Sequence, residues 1–189
     1  ILMDLSKAFD TLNHDLLIAK LETYGFDKTS LLFIQSYLSN RWQRTKINLS
    51  YSSWSELLQG VPQGSILGPL LFNIYINDIF FLAIDSDLCN FADDNTLYAC
   101  DISLFELMTR LESSAEELIK WFKYNYMKLN ESKCHLLIGG YKHEVVIANI
   151  GTAPIIEENE TKLLGVHIDK DLKFDKHVQT IYRNASKKV

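Results

Sequence analysis

The chain has 189 residues and a mass of 21.8 kDa, and 47% of its residues are hydrophobic, enough for one buried core and too many for a disordered segment. Its net charge of −5 runs against the basic footprint of a nucleic-acid binder. Its three cysteines, Cys89, Cys100 and Cys134, lack metal-ligand spacing and fit incidental thiols in a reducing compartment.

In chain order, the apolar start Ile1-Leu2-Met3 is interrupted by Asp4. A strand here places Leu2 and Asp4 on one face, with Met3 and Leu5 on the other. A charge on a buried strand is costly unless it is paired or holds a cation. Residues 13–24 follow as a helix with Leu17, Leu21 and Tyr24 on one face and Gly25 as its stop; Asp10 reads as its cap and His14 as structural. A second helix over 28–39 aligns Leu31, Ile34 and Leu38. Residues 42–49 and 52–58 read as a strand pair carrying Arg41, Arg44 and Lys46, either contacts for backbone phosphates or a solvated hairpin.

A glycine-proline loop, Gln59 to Pro69, then opens onto an apolar helix over 66–84. Its glycines allow a ligand to approach the backbone closely. Asn73, Asn77 and Asp78 inside the helix make it a core element rather than a membrane span. The run Leu88 to Ala92 and the run Thr96 to Ala99 suit strands, with Asp93-Asp94-Asn95 at the tip of a hairpin. These acids either solvate a turn or hold a metal. Ser103 and Glu106 have capping-box spacing and open a helix through 126, whose aromatic end (Trp121, Phe122, Tyr124, Tyr126) reads as core. Strands near 134–139, 144–149 and 162–168 follow, then a helix from 175 that runs to the last residues, Lys187-Lys188-Val189. The fold class is α+β, an antiparallel sheet with helices packed on one face.

Five runs occur in one order: Asp4-Leu5-Ser6-Lys7-Ala8-Phe9-Asp10, Gly60-Val61-Pro62-Gln63-Gly64-Ser65, Phe91-Ala92-Asp93-Asp94, Met127-Lys128-Leu129-Asn130-Glu131-Ser132-Lys133 and Leu163-Leu164-Gly165-Val166. Together they resemble the palm of a reverse transcriptase of the non-LTR (LINE-like) retrotransposon type. The resemblance implies an RNA-directed DNA polymerase using two Mg²⁺ ions (Mn²⁺ as substitute), an RNA template, a DNA primer and deoxynucleoside triphosphates. It implies further that the protein works with the element RNA as a ribonucleoprotein, intracellularly, in nucleus and cytoplasm if the host is eukaryotic, and away from membranes. Residues 1–150 would form the palm, with 41–58 as a fingers-side hairpin. Residues 151–189 would supply the primer-grip hairpin and the start of the thumb, the upstream fingers and the rest of the thumb being absent.

The same resemblance implies roles. Asp4 and Asp93 are direct metal ligands, Asp94 a third acid, and the Leu5 carbonyl a further ligand. Phe9 matches the aromatic that excludes a ribose 2′-hydroxyl; ordinary core is its other reading. Gln63 and Gly64 match nucleotide contacts. Lys133 matches a general acid toward pyrophosphate, or is a surface lysine. Leu164 and Gly165 match the primer grip, or form a plain β-turn. Phe91 stands where tyrosine is commoner and Cys134 where threonine is frequent. Group II intron and retron reverse transcriptases share the acids, and a non-catalytic palm acting as an RNA-binding scaffold is the reading from another class.

Overall fold

The structure, a computed structural model, describes residues 1–140 and 144–187. Strand β1 (Leu2–Asp4) leads through a 3-10 turn at Ala8–Asp10 to helices α1 (His14–Thr23) and α2 (Lys28–Leu38). The cap of α1 is Asn13, whose side chain accepts the Leu16 amide at 2.8 Å, so the expected role of Asp10 passes to Asn13. Asp27 caps α2 through the amides of Thr29 and Ser30. Gly25 stops α1 at φ +90°, and Leu17 and Leu21 are fully buried, whereas Tyr24 lies beyond the helix and partly in solvent.

The expected strand pair over 42–58 is present as two short ladders. Strand β2 (Trp42–Gln43) pairs with β5 (Ser55–Glu56), and β3 (Lys46–Ile47) pairs with β4 (Ser50–Tyr51). The apolar helix α3 is shorter than expected, Leu67–Ile76, and tightens into a 3-10 turn over Asn77–Phe81. There Asp78 binds the Lys20 ammonium at 2.7 Å and Asn77 donates to the Tyr24 hydroxyl, partners that only another helix could supply.

Strands β6 (Asp87–Phe91) and β7 (Asp94–Tyr98) form the acid hairpin, and β7 also pairs with β1, giving the order β1-β7-β6. The hairpin tip is Ala92-Asp93. Asp94 and Asn95, expected in the turn, are strand residues, because β7 gains β1 as a second neighbour. Helix α4 (Leu104–Tyr124) packs Leu107, Leu111, Ala115, Leu118 and Phe122 into the core and touches β7 and β9. Its Ser103 cap accepts the Glu106 amide, while Asp101 in place of Glu106 takes the Ser103 amide. Trp121 and Phe122 are core as expected, but Tyr124 and Tyr126 face solvent.

The last third holds β8 (Leu136–Leu137), β9 (Ile147–Ile150), β10 (Ala153–Glu158), β11 (Glu160–Leu163), β12 (Val166–Asp169) and α5 (Asp175–Ser186). Strand β10 has no counterpart in the sequence reading; it pairs antiparallel with β9 and parallel with β8, across residue 150. The single strand expected over 162–168 is the hairpin β11–β12, turning at Leu164-Gly165. The continuation of α5 through Lys188 and Val189 lies outside the described residues. The architecture is α+β, antiparallel apart from the β8–β10 pair, with Met3 and Leu97 of the β1-β7-β6 sheet buried in the helical core. Among the described residues no helix is long and apolar enough to cross a membrane.

Candidate active site

Alternation along β1 buries Met3 and turns Leu2 and Asp4 to the opposite, open face. On β7 the same alternation buries Asn95 and Leu97 and leaves Asp94, Thr96 and Tyr98 outward. The antiparallel register sets Asp4 directly against Asp94, and Leu2 against Thr96. Directly opposed residues of an antiparallel pair share a face with their Cβ atoms about 4.5–5.5 Å apart. Two carboxylates at that spacing repel, so the sheet carries an electrostatic cost that a cation would remove. Burial, then Asp93, then Asp4 raise the Asp94 pKa above the usual carboxylate range.

Asp93 sits at the tip, half-buried, after Ala92 in a left-handed conformation at φ 54°. Two buried or half-buried asparagines hold this tip, which the sequence reading missed. Asn90 donates to the Ala92 carbonyl at 2.8 Å and to Asn95 Oδ1 at 3.0 Å, and Asn95 donates to the Asp93 carbonyl at 3.0 Å. Asparagines on both sides of a two-residue turn were the available signal. Lys133 Nζ lies 3.6 Å from Asp4 Oδ2, so it adjoins the acids. The segment before it runs beside β1: Asn130 donates to the Asp4 carbonyl and Ser6 to the Lys128 carbonyl. These two bonds flank the Leu5–Leu129 bridge and leave the Leu5 carbonyl out of it.

Among the described residues no three His, Cys, Asp or Glu side chains converge as a complete ligand set. Mg²⁺ does not need such a set, since it takes one or two carboxylates and completes its octahedron with water and substrate phosphates. Asp4 and Asp94, opposed across the β1–β7 pair with Lys133 beside Asp4, could hold such an ion, with Asp93 next to Asp94 at the hairpin tip.

The glycine-proline loop is tied to the turn after β1. Val61 donates to the Phe9 carbonyl and Gly60 to that of Leu12, while His14 Nε2 donates to the Gly60 carbonyl at 2.7 Å, a structural role as expected. A Cβ on Gly60 would meet the Asp10 backbone at 2.7 Å, so only glycine fits. Gln63 Nε2 donates to Asp10 Oδ1 at 2.8 Å. Gly64 has φ +78° with open space where a Cβ would stand. Phe9 is half-buried and stacks on the fully buried Phe72, ring centroids 4.1 Å apart. Gln63 lines a cleft of about 900 Å³ with Lys7, Arg41 and Gln43, whereas Asp4, Asp94 and Lys133 line a separate cavity of about 150 Å³ with Leu164. The structure thus joins Asp4, Asp94, Lys133 and Leu164, and leaves Gln63 in the neighbouring cleft. Arg44 stacks on Tyr51 and Trp54, and Lys46 on Tyr51, making the 41–58 hairpin a cationic-aromatic surface.

The chain has relatives among known proteins. The chain is 29% identical over 202 residues to the "Probable RNA-directed DNA polymerase from transposon BS" of Drosophila melanogaster, covering all of this chain and 22% of that protein. It is 30% identical to the "Probable RNA-directed DNA polymerase from transposon X-element" of the same species, covering 99% of this chain and 21% of that one. The chain therefore spans about a fifth of the length of these relatives. Among solved structures, an apo telomerase from Candida tropicalis superposes with a TM-score of 0.55 at 16% identity, over 92% of this chain and 34% of that one, a likeness of fold. The model of the family described as "Reverse transcriptase (RNA-dependent DNA polymerase)" matches residues 1–168, and the chain belongs to that family.

Proposed function

We propose that this chain is the catalytic palm of an RNA-directed DNA polymerase of a non-LTR retroelement, extending a DNA primer on an RNA template. The observation that carries the reading is the opposed pair Asp4 and Asp94 beside the Asp93 tip and Lys133. The primer's 3′-hydroxyl passes its proton to solvent water and attacks the α-phosphorus of a deoxynucleoside triphosphate; the O3′–P bond forms, the bond to the β-phosphate bridge breaks, and pyrophosphate leaves. Two Mg²⁺ ions, with Mn²⁺ as substitute, supply charge stabilisation of the attacking and leaving oxygens when bound. Asp4 and Asp94 would hold them, with Asp93 and the Leu5 carbonyl as additional ligands. Lys133, 3.6 Å from Asp4, gives a proton to the departing pyrophosphate. Phe9, backed by Phe72, bears on the sugar, Gln63 and Gly64 on the incoming nucleotide, and Leu164 with Gly165 on the primer end. Arg41, Arg44 and Lys46 contact the backbone of the template strand, outside the acid face.

The protein works intracellularly, bound to element RNA as a ribonucleoprotein, in the nucleus and cytoplasm of a eukaryotic host. Residues 151–189 lead from the palm through the primer grip toward a thumb. The test is RNA-templated primer extension by the longest reading frame that contains this chain. Asp4→Ala and Asp94→Ala should each lower kcat about 10²–10³-fold, the scale of losing one charge-stabilising group, and Phe9→Val should raise ribonucleotide use. Extension that survives either acid substitution would remove the metal assignment.

A further inference from the structure

The sheet β1-β7-β6 ends on β6, which has no strand on its far side. Which backbone groups point there follows from the bonds on the other side of β7. The Leu97 amide donates to the Ile1 carbonyl at 2.9 Å, and the Ile1 amino group donates to the Leu97 carbonyl at 2.7 Å. Backbone groups alternate between the two edges of a strand, so Asn95 and Leu97 face β1, while Asp94, Thr96 and Tyr98 face β6. In the observed register those three meet Phe91, Cys89 and Asp87. Leu88 and Asn90 therefore turn their N–H and C=O groups outward, and none of these four groups bonds another segment among the described residues.

Nothing in β6 protects this edge. Asp87–Phe91 contains no lysine, arginine or proline, and its pairing with β7 runs through all five residues without a bulge. Those are the devices that blunt a free edge, because a row of unpaired amides and carbonyls is a template for another strand. Cys89 and Phe91, on the open face, are exposed, as is Tyr98 opposite Asp87.

A second copy of β6 fits the edge in one antiparallel register. With Cys89 against Cys89, Leu88 of each copy exchanges both backbone bonds with Asn90 of the other, and all four outward residues are paired. Moving one copy by two residues sets two of the four against Ser86 or Ala92, beyond the ends of the strand. The centred register also places Asp87 against Phe91, so no like charges oppose one another. Its Cys89 pair is a non-hydrogen-bonded one with Cα atoms about 4.5 Å apart, within the span of a disulfide.

We propose that the β6 edge is a self-association surface, where two copies of this chain join their sheets about a two-fold axis through Cys89. The axis stands normal to the sheet, so the open faces bearing Asp4 and Asp94 look the same way in both copies. Five residues from each copy are far fewer than the about 20–30 of a standard interface, so the association is weak and depends on concentration. It is independent of the polymerase reading.

The test is sedimentation equilibrium of the longest reading frame that contains this chain, joined to oxidation by diamide, which takes up the two thiol hydrogens, and mass mapping of the linked peptides. Wild type should move from monomer toward dimer as its concentration rises. Oxidation should link Cys89 to Cys89 well ahead of any link through Cys100, which is also exposed. Cys89→Ser should associate like wild type. Cys89→Lys and Cys89→Glu each oppose two like charges and should weaken association about tenfold. An equimolar mixture of those two variants should recover it, because an ammonium then faces a carboxylate across the axis, a gain that misfolded chains would not show. A monomer at every concentration, as when another segment of the same polypeptide covers the edge, would overturn the proposal. So would links formed equally through Cys100, or a mixture that associates no better than its parts.

Discussion

At Asp94, burial acts first and the charges of Asp93 and Asp4 add to it, so the carboxyl holds its proton more tightly than an ordinary aspartate. Within the window between the unfolded value near 3.8 and the raised folded value, the folded chain binds more protons than the unfolded one. Stability from this group therefore falls as pH rises through that window, and the cost persists at pH 7. Asp94→Asn, neutral at every pH, should raise Tm at pH 7 without magnesium by about 1–3 °C, a small gain because the group is exposed. Added magnesium should raise the Tm of wild type and leave Asp94→Asn unmoved; an equal shift in both would show that the ion binds elsewhere. The acids themselves were legible in sequence as charges interrupting apolar strands. Which of them stands in register with Asp4 was not: Asp94 opposes Asp4 through a pairing of strands separated in sequence by helices α1 to α3, which no local pattern encodes.

The β11–β12 hairpin turns on two positive φ values, Leu164 at 47° and Gly165 at 87°, the combination that a two-residue type I′ turn demands. Glycine meets that demand freely, but a leucine there is strained by roughly 1–2 kcal/mol. Leu164 is about half exposed and lines the cavity over the acids, so the strain sits at the functional end of the element. Leu164→Asn should stabilise the chain by about 1 kcal/mol in urea denaturation, since Asn-Gly suits this turn, and should weaken primer binding. A destabilised variant would mean that the leucine packs more than it strains. The pattern alone reads 162–168 as one strand, because Leu163-Leu164-Gly165-Val166 is a continuous apolar run, whereas the family resemblance gives a glycine hairpin or β-turn at Leu164-Gly165, where the chain turns. Strand β10 was hidden for the opposite reason, its Pro154 and its glutamates breaking the alternation that marks a strand. The helices were legible because their caps and apolar stripes are local: Ser103 and Gly25 stand where the sequence puts them, although Asn13 rather than Asp10 caps α1.

Across the molecule, α1 is pinned to the end of α3 by Lys20, a buried lysine whose ammonium meets Asp78 at 2.7 Å and the Tyr75 carbonyl at 2.6 Å, with the Tyr75 and Trp121 rings at 4.6 and 5.0 Å. Burial lowers its pKa, and Asp78 offsets part of that. Lys20→Ala should cost about 3 kcal/mol in urea denaturation, because Asp78 and the carbonyl lose their partner. Lys20→Met, which refills the space, should cost less; equal losses would assign the effect to charge alone. This tie links the helical layer that supports Phe72, and through it Phe9, to the layer that supports the acid hairpin. By itself the sequence determined the α+β class, the helices, the acid-bearing strands and the five runs whose order marks the family, because caps, periodicity and residue spelling are local properties. Only the tertiary structure decided that Asp94 rather than Asp93 stands in register with Asp4, that Gln63 lies in the neighbouring cleft, and that His135 and Lys162 line the cavity beside the acids. Those contacts come from strand register and hairpin packing, which are set by burial over the whole core and leave no signature in any one segment.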